Sequence, residues 1–112
     1  MRNDYFCNMA IPVTNKENLL QLLHNHSMSI RSFGVKRLGL FGSFARNTGI
    51  HNKSDVDLLV EFESKKKSFD NFIDLALYLE DLLARKVELV TPQSLSKFIG
   101  PHILKQVQNV EL

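Results

Sequence analysis

Apolar residues along the chain follow two rhythms. Leu19, Leu20, Leu22 and Leu23 recur at helical spacing behind Thr14-Asn15-Lys16-Glu17. That tetrad predicts a capping box, in which the Thr14 hydroxyl and the Glu17 carboxylate each satisfy the other's exposed backbone N–H. Ile30 and Phe33 extend the stripe after a break near Ser27. A second helix is predicted where Phe69, Phe72, Ile73, Ala76, Leu79 and Leu83 form an apolar stripe, with Ser68 as cap, Asp70 in the first turn and Arg85 in the last. Three short runs alternate instead, as strands do: residues 36–41, 55–62 and 86–91. In the second run Val56, Leu58, Val60 and Phe62 share one face and Asp55, Asp57 and Glu61 the other. In the third, Glu88 and Val90 oppose Val87 and Leu89. A short helix near residues 94–98 and another after Pro101 complete the pattern, which predicts a small sheet with helices packed on it.

Size bears on where any chemistry can sit. With 112 residues the chain is expected to form one domain with one core, so a site must lie on the core elements. Residues 1–13 carry the weakest pattern and are expected to be an N-terminal extension to a domain spanning residues 14–112. Fourteen Lys+Arg against twelve Asp+Glu leave a net charge of +2, too small and too dispersed for a strong nucleic-acid footprint. Lys65-Lys66-Lys67, the one basic cluster, reads as a solvated loop. A lone cysteine, Cys7, excludes an intramolecular disulfide and suits a reducing cytoplasm. No stretch approaches the roughly 20 apolar residues that span a bilayer, and the first residues make a poor signal peptide.

Two segments invite chemistry. In Leu38-Gly39-Leu40-Phe41-Gly42-Ser43-Phe44-Ala45-Arg46 a buried strand runs through Gly-Ser into a helix start. Gly42 lets backbone approach a ligand. The helix N–H groups and the Ser43 hydroxyl suit phosphate, and Arg46, a turn later, can fork onto its oxygens. The same residues also suit a plain strand-to-helix turn. In Ser54-Asp55-Val56-Asp57-Leu58, strand alternation puts both carboxylates on one face, where a hard cation such as Mg²⁺ would relieve their repulsion. They also suit the wet edge of a half-buried strand. Glu88 can join them only if its strand lies beside theirs. The four histidines have no metal-ligand spacing, while His51, Lys53 and Ser54 lie close enough in sequence to neighbour the site. Tyr78 reads as a packing residue.

Taken together, Gly42-Ser43-Phe44-Ala45-Arg46, Ser54-Asp55-Val56-Asp57-Leu58, Lys86-Val87-Glu88-Leu89-Val90-Thr91-Pro92 and Pro101-His102-Ile103-Leu104 resemble the DNA polymerase beta–like nucleotidyltransferases, and within them the minimal nucleotidyltransferases. The resemblance implies an α+β fold, a short mixed β-sheet packed against helices around a polymerase beta palm-like core. It implies Mg²⁺-dependent transfer of a nucleoside monophosphate, AMP from ATP being favoured, to a hydroxyl. It assigns triphosphate contact to Ser43, Mg²⁺ to Asp55 and Asp57, and activation of the acceptor to Glu88. Joined to the reading of the residues, nucleotide binding is expected at Gly42, Ser43 and Arg46, and metal binding and catalysis at Asp55, Asp57 and Glu88, with two metals expected. It also implies a HEPN-type helical partner, towards which such proteins act as antitoxins. The alternative it leaves open is an inactive antitoxin that neutralises its partner by binding alone. Transfer to a small molecule such as an antibiotic would normally need an added acceptor-binding domain. The sequence departs from the family pattern twice: Glu88 stands where Asp is usual, and Asn47 follows Arg46 where Gly is frequent.

Overall fold

In the computed structural model the described residues are 13–51, 54–63, 69–98 and 100–112. The cap at Ser68, Cys7, Lys53 and the lysine cluster at residues 65–67 lie outside them, as do residues 1–12 of the expected extension. Val13, the last residue of that extension, is buried in the core, and its N–H donates to the Leu83 carbonyl.

Helix α1 (Lys16–Asn25) is capped one residue later than the capping box predicts. The Asn15 side chain accepts from the Asn18 N–H at 2.8 Å. Asn is as good an N-cap as Ser or better than Thr, and here it wins the position. Leu19 and Leu23 are buried, the chain breaks at His26, and α2 (Ser27–Ser32) buries Ile30. Strand β1 (Val35–Phe41) then leads directly into the short α3 (Gly42–Arg46). Strand β2 (Val56–Phe62), helix α4 (Phe69–Leu83) and β3 (Val87–Val90) follow. A 3₁₀ turn at Pro92–Ser94, helix α5 (Gly100–Gln106) and a two-residue β4 (Gln108–Asn109) end the chain.

The four strands form one mixed sheet in the order β3-β2-β1-β4. The β1 strand pairs antiparallel with β2 and β4, while β2 and β3, joined through α4, run parallel. Parallel neighbours need such a crossover, and a helix supplies it. Leu38 and Leu40 of β1 and Val56, Leu58 and Val60 of β2 are at most 1% exposed, and they pack with Leu19, Leu23, Ile30, Leu75, Leu79 and Leu83 in one core. Burying a side chain of this size stabilises the fold by about 1.5–3 kcal/mol. Tyr78 packs as expected, its ring 5.3 Å from that of Phe33.

Three expectations are corrected. The buried stripe of α4 is Leu75, Leu79 and Leu83, with Phe72 and Tyr78 partly covered, whereas Phe69 is 77% exposed and Ile73 also faces solvent. The helix therefore sits rotated from the predicted face. It also stops at Leu83, because Ala84 turns left-handed (φ 54°), so Arg85 lies beyond its last turn. Near residues 94–98 there is no helix. The Ser94 hydroxyl instead donates to the Thr91 carbonyl at 2.8 Å and accepts from the Thr91 N–H, closing the 3₁₀ turn at Pro92–Ser94. Such local hydroxyl bonding competes with helix formation. The β4 strand carries no pattern in the sequence. It fits because a side chain at Gly39 would strike Val107, so the C-terminal segment can lie close against β1.

Candidate functional site

The site forms at the end of the sheet where β1 finishes and β2 begins. Register places Phe41 opposite Asp57 across the antiparallel pair, and Asp57 beside Glu88 across the parallel pair. Residues paired in register share a sheet face, so Asp57 and Glu88 project from the side opposite the Leu58 core. Asp55 precedes β2 by one residue, two positions before Asp57, rather than opening the strand as expected. The β2–β3 adjacency that Glu88 required is thus present.

Chain connectivity brings the Gly-Ser turn to the same place. Phe41, paired with Asp57, is followed at once by Gly42, which adopts φ +76°. A β-carbon there would lie 2.9 Å from the Asp57 Cγ and nearer still to its Oδ2. Only glycine combines this backbone with so close an approach. Helix α3 is anchored by buried Phe44 and Ala45, and no side chain caps its N-terminus. Ser43 and Arg46, three residues apart, share a helix face outside that buried pair. The left-handed residue that ends α3 is Asn47, at φ 56°. Its Oδ1 accepts from the Lys16 N–H at 3.0 Å, so the departure from Gly keeps the backbone shape and adds a tie to α1.

The electrostatics at Asp57 follow from the same placement. Partial burial raises the Asp57 carboxyl above its ordinary value, Asp55 and then Glu88 push it further, and Arg46 opposes them. Asp57 therefore feels both other acids and the arginine of the Gly-Ser helix. Among the described residues no three His, Cys, Asp or Glu side chains are gathered tightly enough to cage a metal ion. The donor chemistry nevertheless fits a hard divalent cation, since neighbouring carboxylates that repel one another, with Asp57 raised, gain from one. The sequence-derived residues Gly42, Ser43, Arg46, Asp55, Asp57 and Glu88 thus fall in one region. The backbone carbonyls of His51 and Ser54 accept from Arg85. Pattern reading missed Arg85, whose only signal was its place just past a helix end and three residues before Glu88.

Comparison with known proteins bears on the same segments. The family model of the nucleotidyltransferase domain matches residues 25–109. The protein adenylyltransferase MntA of Thermococcus cleftensis is 40% identical over 92 residues, covering 81% of this chain and 91% of that protein. A solved structure assigned as a minimal nucleotidyltransferase is 29% identical with a TM-score of 0.70, covering 84% of this chain and 94% of that one. The complex of a tri-AMPylated HEPN toxin with its MNT antitoxin from Shewanella oneidensis shares the fold at 22% identity and a TM-score of 0.58, covering 82% and 71% of the two chains. Among the described residues no helix is long and apolar enough to cross a membrane. With the Gly-Ser turn, the acid pair and the third-strand acid all inside the matched span, the chain belongs to the nucleotidyltransferase domain family as one of its minimal nucleotidyltransferases.

Proposed function

We propose that the chain, through a catalytic domain spanning residues 14–112, transfers AMP from ATP to a hydroxyl on a HEPN-type protein partner, and so acts as that partner's antitoxin in the cytoplasm. The observation that carries this reading is the register that seats Asp57 between the strand leading into Gly42-Ser43 and the strand bearing Glu88. The adenylyltransferase relative and the AMPylated-toxin complex support the choice of nucleotide and acceptor.

Each residue has a task in this reaction. Gly42 gives the triphosphate room against the backbone, Ser43 donates to a phosphate oxygen, and Arg46 pairs with the phosphates. Asp55, Asp57 and Glu88 would hold Mg²⁺, which when bound neutralises triphosphate charge and polarises the reacting phosphorus. The acceptor oxygen attacks the α-phosphorus as the bond to the β-phosphate breaks. Pyrophosphate leaves with that electron pair, and Glu88 takes the hydroxyl proton.

The test is transfer of label from α-labelled ATP, with Mg²⁺, to the product of the neighbouring gene, a HEPN-type protein under this reading. Label on the partner, lost in Asp57→Asn with the fold retained, is the expected result. No transfer to that protein by the intact chain would sink the reading. Glu88, exposed and one methylene longer than the usual Asp, favours a second reading, neutralisation by contact alone. Under that reading the Asp55→Ala/Asp57→Ala variant would still protect cells from the partner.

A further inference from the structure

We infer that Arg85 is a positioning residue, one guanidinium that sets the spacing between the Gly-Ser helix and the acid-bearing strand. The kinetic part of this inference rests on the adenylyl-transfer reading. The structural part does not.

Arg85 lies between α4 and β3, after the left-handed Ala84. From there its side chain reaches both halves of the site. Its NH1 group donates to the His51 carbonyl at 2.8 Å and to the Ser54 carbonyl at 3.0 Å, and its Nε donates to the Val13 carbonyl. Ser54 is the residue immediately before Asp55. On the other side, the Arg85 Cζ lies 5.2 Å from the centroid of the Phe44 ring. Phe44 is fully buried and is the residue immediately after Ser43. The third acid is linked through the backbone, since the Lys86 carbonyl accepts from the Val56 N–H at 2.9 Å, and Val56 lies between Asp55 and Asp57.

These contacts need arginine chemistry. Two carbonyls at the end of the α3–β2 connection and a third at Val13 require several donors arranged in a fork, while the Phe44 ring requires a flat, weakly hydrated cation above it. A lysine supplies one charge point and cannot satisfy both geometries. The His51 and Ser54 carbonyls lie on the segment that leads into the acid pair, Ser54 immediately before Asp55, and the ring held belongs to Phe44, the residue after the triphosphate-binding serine. Loss of Arg85 therefore alters the distance between the two halves and leaves each half intact. Displacements of about 1 Å at a reacting centre can cost about 100-fold in rate.

The experiment compares Arg85→Lys and Arg85→Ala with the intact chain by amide hydrogen exchange, thermal melting and steady-state kinetics. In both variants the Ser54 and Val56 amides should exchange at least about 10-fold faster while the β1–β2 ladder amides stay protected, which marks a local opening. With ATP and the partner protein, kcat should fall about 10- to 100-fold while the KM for ATP stays within about threefold. Arg85→Lys should resemble Arg85→Ala. The proposal is overturned if protection is lost throughout the chain in both variants, if Ser54 and Val56 exchange is unchanged, or if lysine restores full turnover. Should the intact chain transfer no label while the exchange pattern appears as described, the adenylyl-transfer reading fails and the positioning role stands.

Discussion

The Asp57 carboxylate fills the space that a side chain at Gly42 would occupy, with its Cγ 2.9 Å from the position of the missing β-carbon. The Gly-Ser turn and the acid at the centre of the candidate site are thus packed against each other. Gly42→Ala should carry two penalties: about 1–2 kcal/mol for a left-handed backbone, and about 1–3 kcal/mol for forcing Asp57 aside. The second depends on Asp57 being present. In an Asp57→Ala background, Gly42→Ala should therefore cost at least about 1 kcal/mol less, a coupling that denaturant unfolding of the four proteins would measure. Strict additivity would show that the carboxylate does not lie against the turn.

The raised carboxyl of Asp57 has a consequence for stability. Burial, Asp55 and Glu88 all disfavour its charged form in the fold, so the folded chain holds that proton more tightly than the unfolded chain. Stability should fall as pH rises from the ordinary carboxylate value of 3.8 through the raised folded value. Without metal, Asp57→Asn should melt a few degrees above the intact protein at neutral pH, the partial exposure keeping the gain small. The gain should fade on acidification, as the folded Asp57 carboxyl takes up its proton. Activity should move the opposite way, because the charged form is the one that would bind Mg²⁺. Melting curves across pH for the two proteins are the check, and a lower melting point for Asp57→Asn at neutral pH would contradict the account.

Glu88 is the departure that bears most on turnover. The parallel register seats it beside Asp57, but its carboxylate stands one methylene further from the strand than that of the usual Asp. Glu88→Gln removes the proton acceptor and should lower kcat about 10²- to 10⁴-fold, the usual worth of a general base. Glu88→Asp keeps the acceptor and moves it by one methylene, so its loss should be smaller than that of Glu88→Gln. Equal loss in both would assign Glu88 a purely steric role.

Periodicity located most of the fold but misjudged how one helix is turned. In α4, Phe69, Ile73, Leu77 and Leu75, Leu79, Leu83 are two apolar rows, both at helical spacing. Spacing alone cannot say which row meets the sheet, because that depends on crossover geometry and on which strands lie beneath. Leu75→Ala should cost about 2–5 kcal/mol by opening a core cavity, whereas Phe69→Ala should stay within about 0.5 kcal/mol. Chemical denaturation decides between the rows, and the reverse ranking would contradict the burial of Leu75.

The site was more legible than the packing around it. Gly42, Ser43, Asp55 and Asp57 lie within sixteen residues, and their roles depend on local turn chemistry and strand alternation that the sequence displays directly. Glu88 needed a strand neighbour, a non-local fact supplied only by the β2–β3 register. Arg85 was read as a helix-end charge because its actual partners are carbonyls, which leave no mark in side-chain patterns. The two-residue β4 is too short to alternate visibly, and it is held by a close approach at Gly39.

Asn47 joins two requirements that glycine, the frequent residue there, would meet only in part. Its left-handed backbone (φ 56°) ends α3 directly after Arg46, and its Oδ1 accepts from the Lys16 N–H at the start of α1. Asn47→Gly keeps the conformation and gives up the hydrogen bond, so it should cost about 0.5–1 kcal/mol. Asn47→Ala gives up both and should cost about 2 kcal/mol, since alanine resists the left-handed region. Arg46 is the last residue of α3, next to this turn, so the alanine variant should also weaken ATP binding more than the glycine variant does. Denaturant unfolding and nucleotide titration on the same two proteins test both rankings. If glycine proved the more damaging, the left-handed turn would not be what this position requires.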